Sequence, residues 1–147
     1  MNAKVLYDLP YPGILPDHPL YFFKAVRDRV LDITTRDDMK KAELYLLFSD
    51  KRFAMADQLV KKGKVKLAVS TLSKGEKYAE KIPELIRNMK KQGSSPESTF
   101  LFKVKLSNEK HKEILDDFLT TIPQGQEQSI ETIIKMNKNI NSDLSSL

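Results

Sequence analysis

Residues 37–91, DDMKKAELYLLFSDKRFAMADQLVKKGKVKLAVSTLSKGEKYAEKIPELIRNMKK, form the stretch from which the fold is read. Asp37 or Asp38 can cap a helix start, because a short carboxylate accepts from the unpaired N–H groups of a first turn. From there Met39, Ala42, Leu46, Ser49, Phe53, Ala56 and Val60 recur in alternating steps of three and four. That spacing is one stripe of an α-helix, narrow enough to be the seam of a helix pair. Gly63 stops it. The stripe restarts with Val65, Ala68, Leu72, Gly75, Ala79, Ile82, Ile86 and Met89. Two helices of about 25 residues, roughly 37 Å each at 1.5 Å per residue, joined by so short a turn must lie antiparallel. Pro83 falls inside the second stripe, where a missing N–H and a ring clash cost about 3 kcal/mol in a helix interior. Either a kink near residues 81–84 or two helices meeting there follows, and the unbroken apolar period favours the kink.

Upstream, Leu9-Pro10-Tyr11-Pro12-Gly13-Ile14-Leu15-Pro16-Asp17-His18-Pro19 has too many fixed φ angles and missing donors for a helix or a central strand. It reads as an extended arm whose Leu9, Tyr11, Ile14 and Leu15 pack across the helices. Asp17 is the candidate N-cap, with Pro19 in the first turn, of a helix running to about Ile33. Along it Leu20, Phe23, Val26, Val30 and Ile33 recur at helical steps.

Downstream, Gln92-Gly93-Ser94-Ser95 leads to Pro96, and a serine cap followed by Pro at the first helical position is a start signal. Phe100, Phe102, Val104 and Leu106 alternate with period two, which a strand could also produce. A lone strand has no partner in a helical chain, and the period from Val104 through Asn108, His111, Leu115, Phe118 and Ile122 supports helix. After Pro123-Gln124-Gly125, the residues Ile130, Ile133, Asn137, Ile140 and Leu144 mark a last amphipathic helix. The expected fold is all-α: a single domain, residues 1–147, forming a five-helix bundle built on a long antiparallel helical hairpin. The proline-rich arm occupies 1–17, the central helices 18–91 and a C-terminal helical hairpin 92–147.

Composition narrows the chemistry. The 147 residues include no Cys and no Trp, which excludes disulfides, thiolate metal sites and Cys nucleophiles. The longest apolar run, residues 44–48, is far below the roughly 18 residues of a membrane span. The residues three before His18 and His111 are Leu15 and Asn108, so the Glu-x-x-His pattern of di-iron bundles is absent. Asp37-Asp38 and Asp116-Asp117 are adjacent carboxylates that point about 100° apart on a helix. No nucleophile elbow and no phosphate-binding loop occurs. No catalytic residue, metal ligand or cofactor is expected.

Two constellations remain. If the last two helices are antiparallel about Gln124, residues whose numbers sum to about 248 share a layer, which sets His111 opposite Asn137. With Asn108 beside them, the expectation is a buried polar layer that fixes helix register, because an unpaired buried polar group costs about 1 to 3 kcal/mol. Ser49 and Gly75 are the small residues of the central hairpin, suited to close helix approach or to a shallow groove.

Charge is uneven. Residues 1–35 are neutral, residues 36–91 hold 15 basic against 8 acidic side chains, and residues 92–147 hold 6 against 8. Much of the excess gathers at Lys61, Lys62, Lys64 and Lys66 around the hairpin turn. These lysines complement helix dipoles, or they contact an anionic surface. Nucleic acid is a poor candidate, since no aromatic is interleaved with them and no recognition motif appears.

The arm Leu9-Pro10-Tyr11-Pro12-Gly13-Ile14-Leu15-Pro16-Asp17-His18-Pro19-Leu20-Tyr21, then Lys41-Ala42-Glu43-Leu44 and Asp50-Lys51-Arg52, then a glycine turn and a helix with Ala68 and Tyr78, resembles a bacterial family known as Domain of Unknown Function 5667. The resemblance covers roughly residues 8–90. It implies an all-helical domain of secreted or membrane-anchored proteins, placed after a signal peptide or a membrane segment, with no assigned activity. Residues 1–6 are too short for a signal-peptide core, so either the chain corresponds to a mature portion or this member is cytoplasmic, and the resemblance favours the former. The expected function is a non-enzymatic helical module of the cell envelope, outside the cytoplasm. It would bind a protein partner or an anionic envelope component, with Lys61, Lys62, Lys64 and Lys66 as candidate contacts. The alternative is an intracellular adaptor that grips a peptide in a helical groove.

Overall fold

The computed structural model describes residues 3–147. Met1 and Asn2, part of the opening considered for a leader, lie outside the described residues. The architecture is all-helical: α1 Tyr21–Thr34, α2 Asp38–Lys61, α3 Val65–Ala79, α4 Ile82–Lys91, α5 Ser98–Thr121 and α6 Glu127–Ser145. Residues 99–106, which alternate with period two, lie within α5.

The central hairpin forms from its own local signals. Asp37 caps α2 by accepting from the Lys40 N–H at 2.8 Å. At the other end Gly63, with φ +74°, lets the chain reverse: its N–H donates to the Val60 carbonyl and the Lys64 N–H to the Leu59 carbonyl. That pair of bonds is the Schellman arrangement, which satisfies carbonyls the helix end would leave open. Pro83 resolves as two helices meeting: Glu80 and Lys81 keep right-handed helical backbone, and Pro83 sits in the first turn of α4. There its missing N–H would have had no intrahelical partner. Ala79, Ile82, Ile86 and Met89 remain buried on one face, so α3 and α4 together make the third member of the five-helix plan.

Two other starts differ from expectation. Asp17 does not cap α1; the helix begins at Tyr21 after an uncapped Leu20. The Asp17 carboxylate is instead drawn to the hairpin tip, accepting from Lys64 at 2.9 Å and Lys62 at 3.1 Å. Nor do Ser95 and Pro96 open α5, which starts at Ser98 with Glu97 in the flanking position and no side-chain cap. The arm is extended and packs only in part. Leu15 is buried in the core and Leu9 lies against it, while Tyr11 and Ile14 stay exposed.

The core divides in two. Toward the Gly63 turn, Phe53, Leu59, Leu72, Leu115, Ile130 and Ile133 pack together. Toward the opposite end, Leu46, Ile82, Ile86, Val104, Ile140 and Leu144 do the same. Between these clusters the helices bury polar residues: Ser49 and Asp50 on α2, Glu76 on α3, Ser107, Asn108 and His111 on α5, and Asn137 on α6.

Candidate functional site

Four helices each contribute to the polar layer. Asp50 follows Ser49 on α2, Glu76 follows Gly75 on α3, Ser107, Asn108 and His111 come from α5, and Asn137 from α6; all are buried. His111 stacks on the Phe53 ring with centroids 3.7 Å apart. Its Nε2 lies 2.9 Å from Asp50 Oδ1 and its Nδ1 2.9 Å from Glu76 Oε1. Carboxylates accept, so both ring nitrogens donate, and only the imidazolium has two N–H groups. Burial pulls the proton affinity of His111 down, but the two carboxylates outweigh it and hold its pKa up at about 9.

The surrounding groups satisfy most of the layer, leaving Glu76 Oε2 without a partner. Asp50 also accepts from the Ser107 hydroxyl at 2.6 Å and, through Oδ2, from the Tyr7 hydroxyl of the arm at 2.5 Å. Burial and the Asp50 carboxylate push the Tyr7 phenol far above its usual range, which keeps it a donor. Asn137 Nδ2 donates to the Asn108 carbonyl at 3.1 Å and to Glu76 Oε1 at 3.4 Å. His111 and Asn137, set opposite each other by the counting rule, therefore meet through a shared acceptor, Glu76. Asp50 and Glu76 escaped the sequence reading. Each stands one residue past a small seam position, a clue that polar groups could converge there.

Ser49 and Gly75 sit in close-packed interior. A Cβ at Gly75 would lie 3.1 Å from the Phe53 ring, so the glycine serves the approach of α3 to α2.

The tip lysines are mostly engaged. Lys61 pairs with Asp57 at 2.7 Å, and Lys62 and Lys64 straddle Asp17. Lys66 is exposed and enters no ion pair among the described residues.

The strongest surface feature lies on α1, and its stripe faces the wrong way for a core helix. Phe22 is 68% exposed, Phe23 67%, Val30 52% and Ile33 63%, while Asp28 and Asp32 on the opposite face are buried. The polar side is the one that docks. Asp32 accepts from the Tyr45 hydroxyl at 2.6 Å and pairs with Lys41, and Asp28 pairs with Arg27. Lys24 donates to the Pro12 carbonyl at 2.7 Å, tying α1 to the arm. At about 100° per residue, Phe22, Ile33, Val26, Val30 and Phe23 fill an outward arc with no charge in it. Arg29 borders one edge of the arc, Arg27 and Lys24 the other.

Beside this face opens a cleft of about 460 Å³. Tyr11, Ile14 and Phe23 wall it, Lys24, Arg27 and Lys51 rim it, and no carboxylate lines it. Burial, then the positive charge of Lys51, pulls the Lys24 ammonium down to about 8, with Arg52 and Arg27 adding to the effect. The clue in the sequence was Asp28 and Asp32, four apart and opposite the apolar stripe. Nothing in α1 alone says which of its two faces turns inward.

Fold and site together define an all-helical bundle with a buried ionic layer and one helix presenting hydrocarbon outward. The family described as a domain of unknown function (DUF5667) matches residues 13–146, and the chain belongs to it. The match begins within the arm and runs on through α5 and α6, so the C-terminal hairpin is part of the family domain. No curated protein and no solved structure matches the chain. Among the described residues no helix is long and apolar enough to cross a membrane.

Proposed function

We propose that this chain is a non-enzymatic docking module of the bacterial cell envelope, working outside the cytoplasm and making contact through α1. The observation that carries the reading is the outward arc of Phe22, Phe23, Val26, Val30 and Ile33, all exposed. A contiguous exposed apolar patch marks a surface that something else covers. The extracytoplasmic setting is part of the proposal and rests on the resemblance of the arm and central hairpin alone. The non-enzymatic reading draws on His111, whose nitrogens both donate to carboxylates deep in the bundle, leaving no lone pair for proton abstraction. Lys66, unpaired at the hairpin tip, is a secondary contact.

Sedimentation of the purified protein with bacterial envelope membranes and with cytosol tests this. The wild-type chain should pellet with the envelope, and Phe22→Ser/Phe23→Ser/Val26→Ser should remain in the supernatant with an unchanged circular dichroism spectrum. Equal behaviour of the two proteins, or no pelleting of either, overturns it.

A second reading rests on a different cleft, of about 660 Å³, between the arm, α2 and the start of α5. Met39, Leu47 and Phe100 give it apolar walls, and Glu43 and Glu97 stand at its edge. An adaptor that grips a basic peptide would use it. Charge reversal at Glu43 and Glu97 should then abolish peptide binding, while the α1 substitutions leave it intact.

A further inference from the structure

We infer that the covering partner of α1 is an anionic phospholipid bilayer, on which the helix lies flat with Phe22 and Phe23 in the acyl boundary and the Lys24–Arg27–Lys51 rim against a lipid phosphate. The inference rests on the docking reading above and names its partner.

Three observations favour a bilayer. The first is charge. Every edge of the apolar arc is cationic, whereas both acids of α1 are turned into the protein, Asp32 onto Tyr45 and Asp28 beneath Arg27. Apolar residues flanked by Lys and Arg on a helix lying in one plane are what an anionic membrane interface attracts. The second is the adjoining cleft, which combines hydrocarbon walls with three cations and no carboxylate. That pairing suits a molecule with an anionic head and an apolar tail. Lys24, Arg27 and Lys51 converge on this one cleft, where a bound phosphate would answer their charge. The third is the shape of the alternatives. In a two-fold contact between copies of this chain, Arg27 and Arg29 of each copy, already paired with Asp28 and Asp32 of their own helix, would border the same apolar seam, and α1 has no further acid to offer the arginines of the other copy.

The test uses vesicles and the full chain. Because the sequence has no Trp, Phe22→Trp installs a single fluorescent reporter in the proposed contact. Its emission should shift to the blue on vesicles of equal parts phosphatidylglycerol and phosphatidylcholine, and brominated acyl chains should quench it. Binding to pure phosphatidylcholine should be roughly tenfold weaker, and high salt should weaken the anionic binding. In cosedimentation, Phe22→Ser/Phe23→Ser should lose binding to both vesicle types. Lys24→Gln/Arg27→Gln/Lys51→Gln should lose the preference for the anionic one. Changing Lys61, Lys62, Lys64 and Lys66 to Gln should leave the binding in place. Thermal melts of each variant check that it is folded.

Absence of vesicle binding, or equal affinity for neutral and anionic vesicles, overturns the inference. If vesicles fail but envelope membranes still pellet the protein until they are treated with protease, the partner is a protein and the docking reading stands alone. If neither binds, both fall. A dimer by light scattering that Phe22→Ser/Phe23→Ser dissociates assigns the face to a second copy and likewise overturns the lipid assignment.

Discussion

The centre of the bundle and the outer side of α1 both depart from the usual partition of charge and hydrocarbon, in opposite directions. In the centre, Asp50, Glu76 and His111 are buried; on α1, two phenylalanines and three branched residues face water. The polar groups are tolerated because most of them find partners: the imidazole lies between two carboxyl groups, with Ser107 and Tyr7 on Asp50 and Asn137 on Oε1 of Glu76, whose Oε2 has no hydrogen-bond partner. Such a layer contributes little net stability over a hydrophobic one, but breaking it is costly. The apolar face of α1 has no such compensation within the chain. Polar groups that meet partners within the chain mark a structural device, and a hydrocarbon face left to water marks a surface awaiting a partner.

This contrast can be broken at several points, beginning with the largest effect. His111→Leu leaves Asp50 and Glu76 buried without their counter-ion and should cost about 3 to 5 kcal/mol of unfolding free energy by urea titration. A loss below about 1 kcal/mol would mean that the layer is not ionic.

Changing pH should produce the next largest effect. His111 binds its proton more tightly in the folded chain, with a pKa of about 9 against the ordinary 6.5. Its stabilisation is therefore whole below pH 6.5 and is lost as pH rises through about 9. The shift corresponds to about 3 kcal/mol. Asp50 from α2 and Glu76 from α3 face the ring, and Tyr7 reaches it through Asp50. Denaturation midpoints across that range should fall for the wild-type protein and stay flatter for His111→Leu.

Tyr7→Phe removes one donor from Asp50 and should cost about 2 kcal/mol. The arm should then become accessible to protease earlier than the helices do. Since Val5 still donates to Glu113 and Lys24 to Pro12, the arm is loosened but not released. An arm as resistant as the wild type would show that Tyr7 is not its main tether.

The smallest change in stability belongs to the other region. Phe22→Ser should alter unfolding free energy by no more than about 0.5 kcal/mol, since the ring makes its contacts in water. A large loss would mean that the α1 face is packed in the folded chain, and it would remove the basis for docking.

Much of this was legible beforehand, for local reasons. The seams of α2 and α3, the turn at Gly63 and the burial of His111 and Asn137 follow from spacing and from stop signals within a few residues. The counting rule paired α5 with α6 because a short turn leaves one antiparallel register. Asp17 was misread because its partners, Lys62 and Lys64, lie 45 and 47 residues away. A cap is a local choice, and here a distant pair of cations competes for the same carboxylate. The stripe on α1 was recognised, but its direction was not: periodicity reports that a helix has two unlike faces and is silent on which one the rest of the chain will meet.

The sequence by itself determined the helical segments and the pairing within each hairpin, because those depend on hydrogen bonds and side-chain repeats among near neighbours. Tertiary structure alone decided that the two hairpins align their polar positions, bringing Asp50 to His111 across 61 residues. It also decided that α1 turns its acids inward and docks through Asp32. Tyr45 and Lys41 come from another helix and satisfy Asp32, which could not otherwise be buried at tolerable cost, and that contact leaves the hydrocarbon of α1 on the outside.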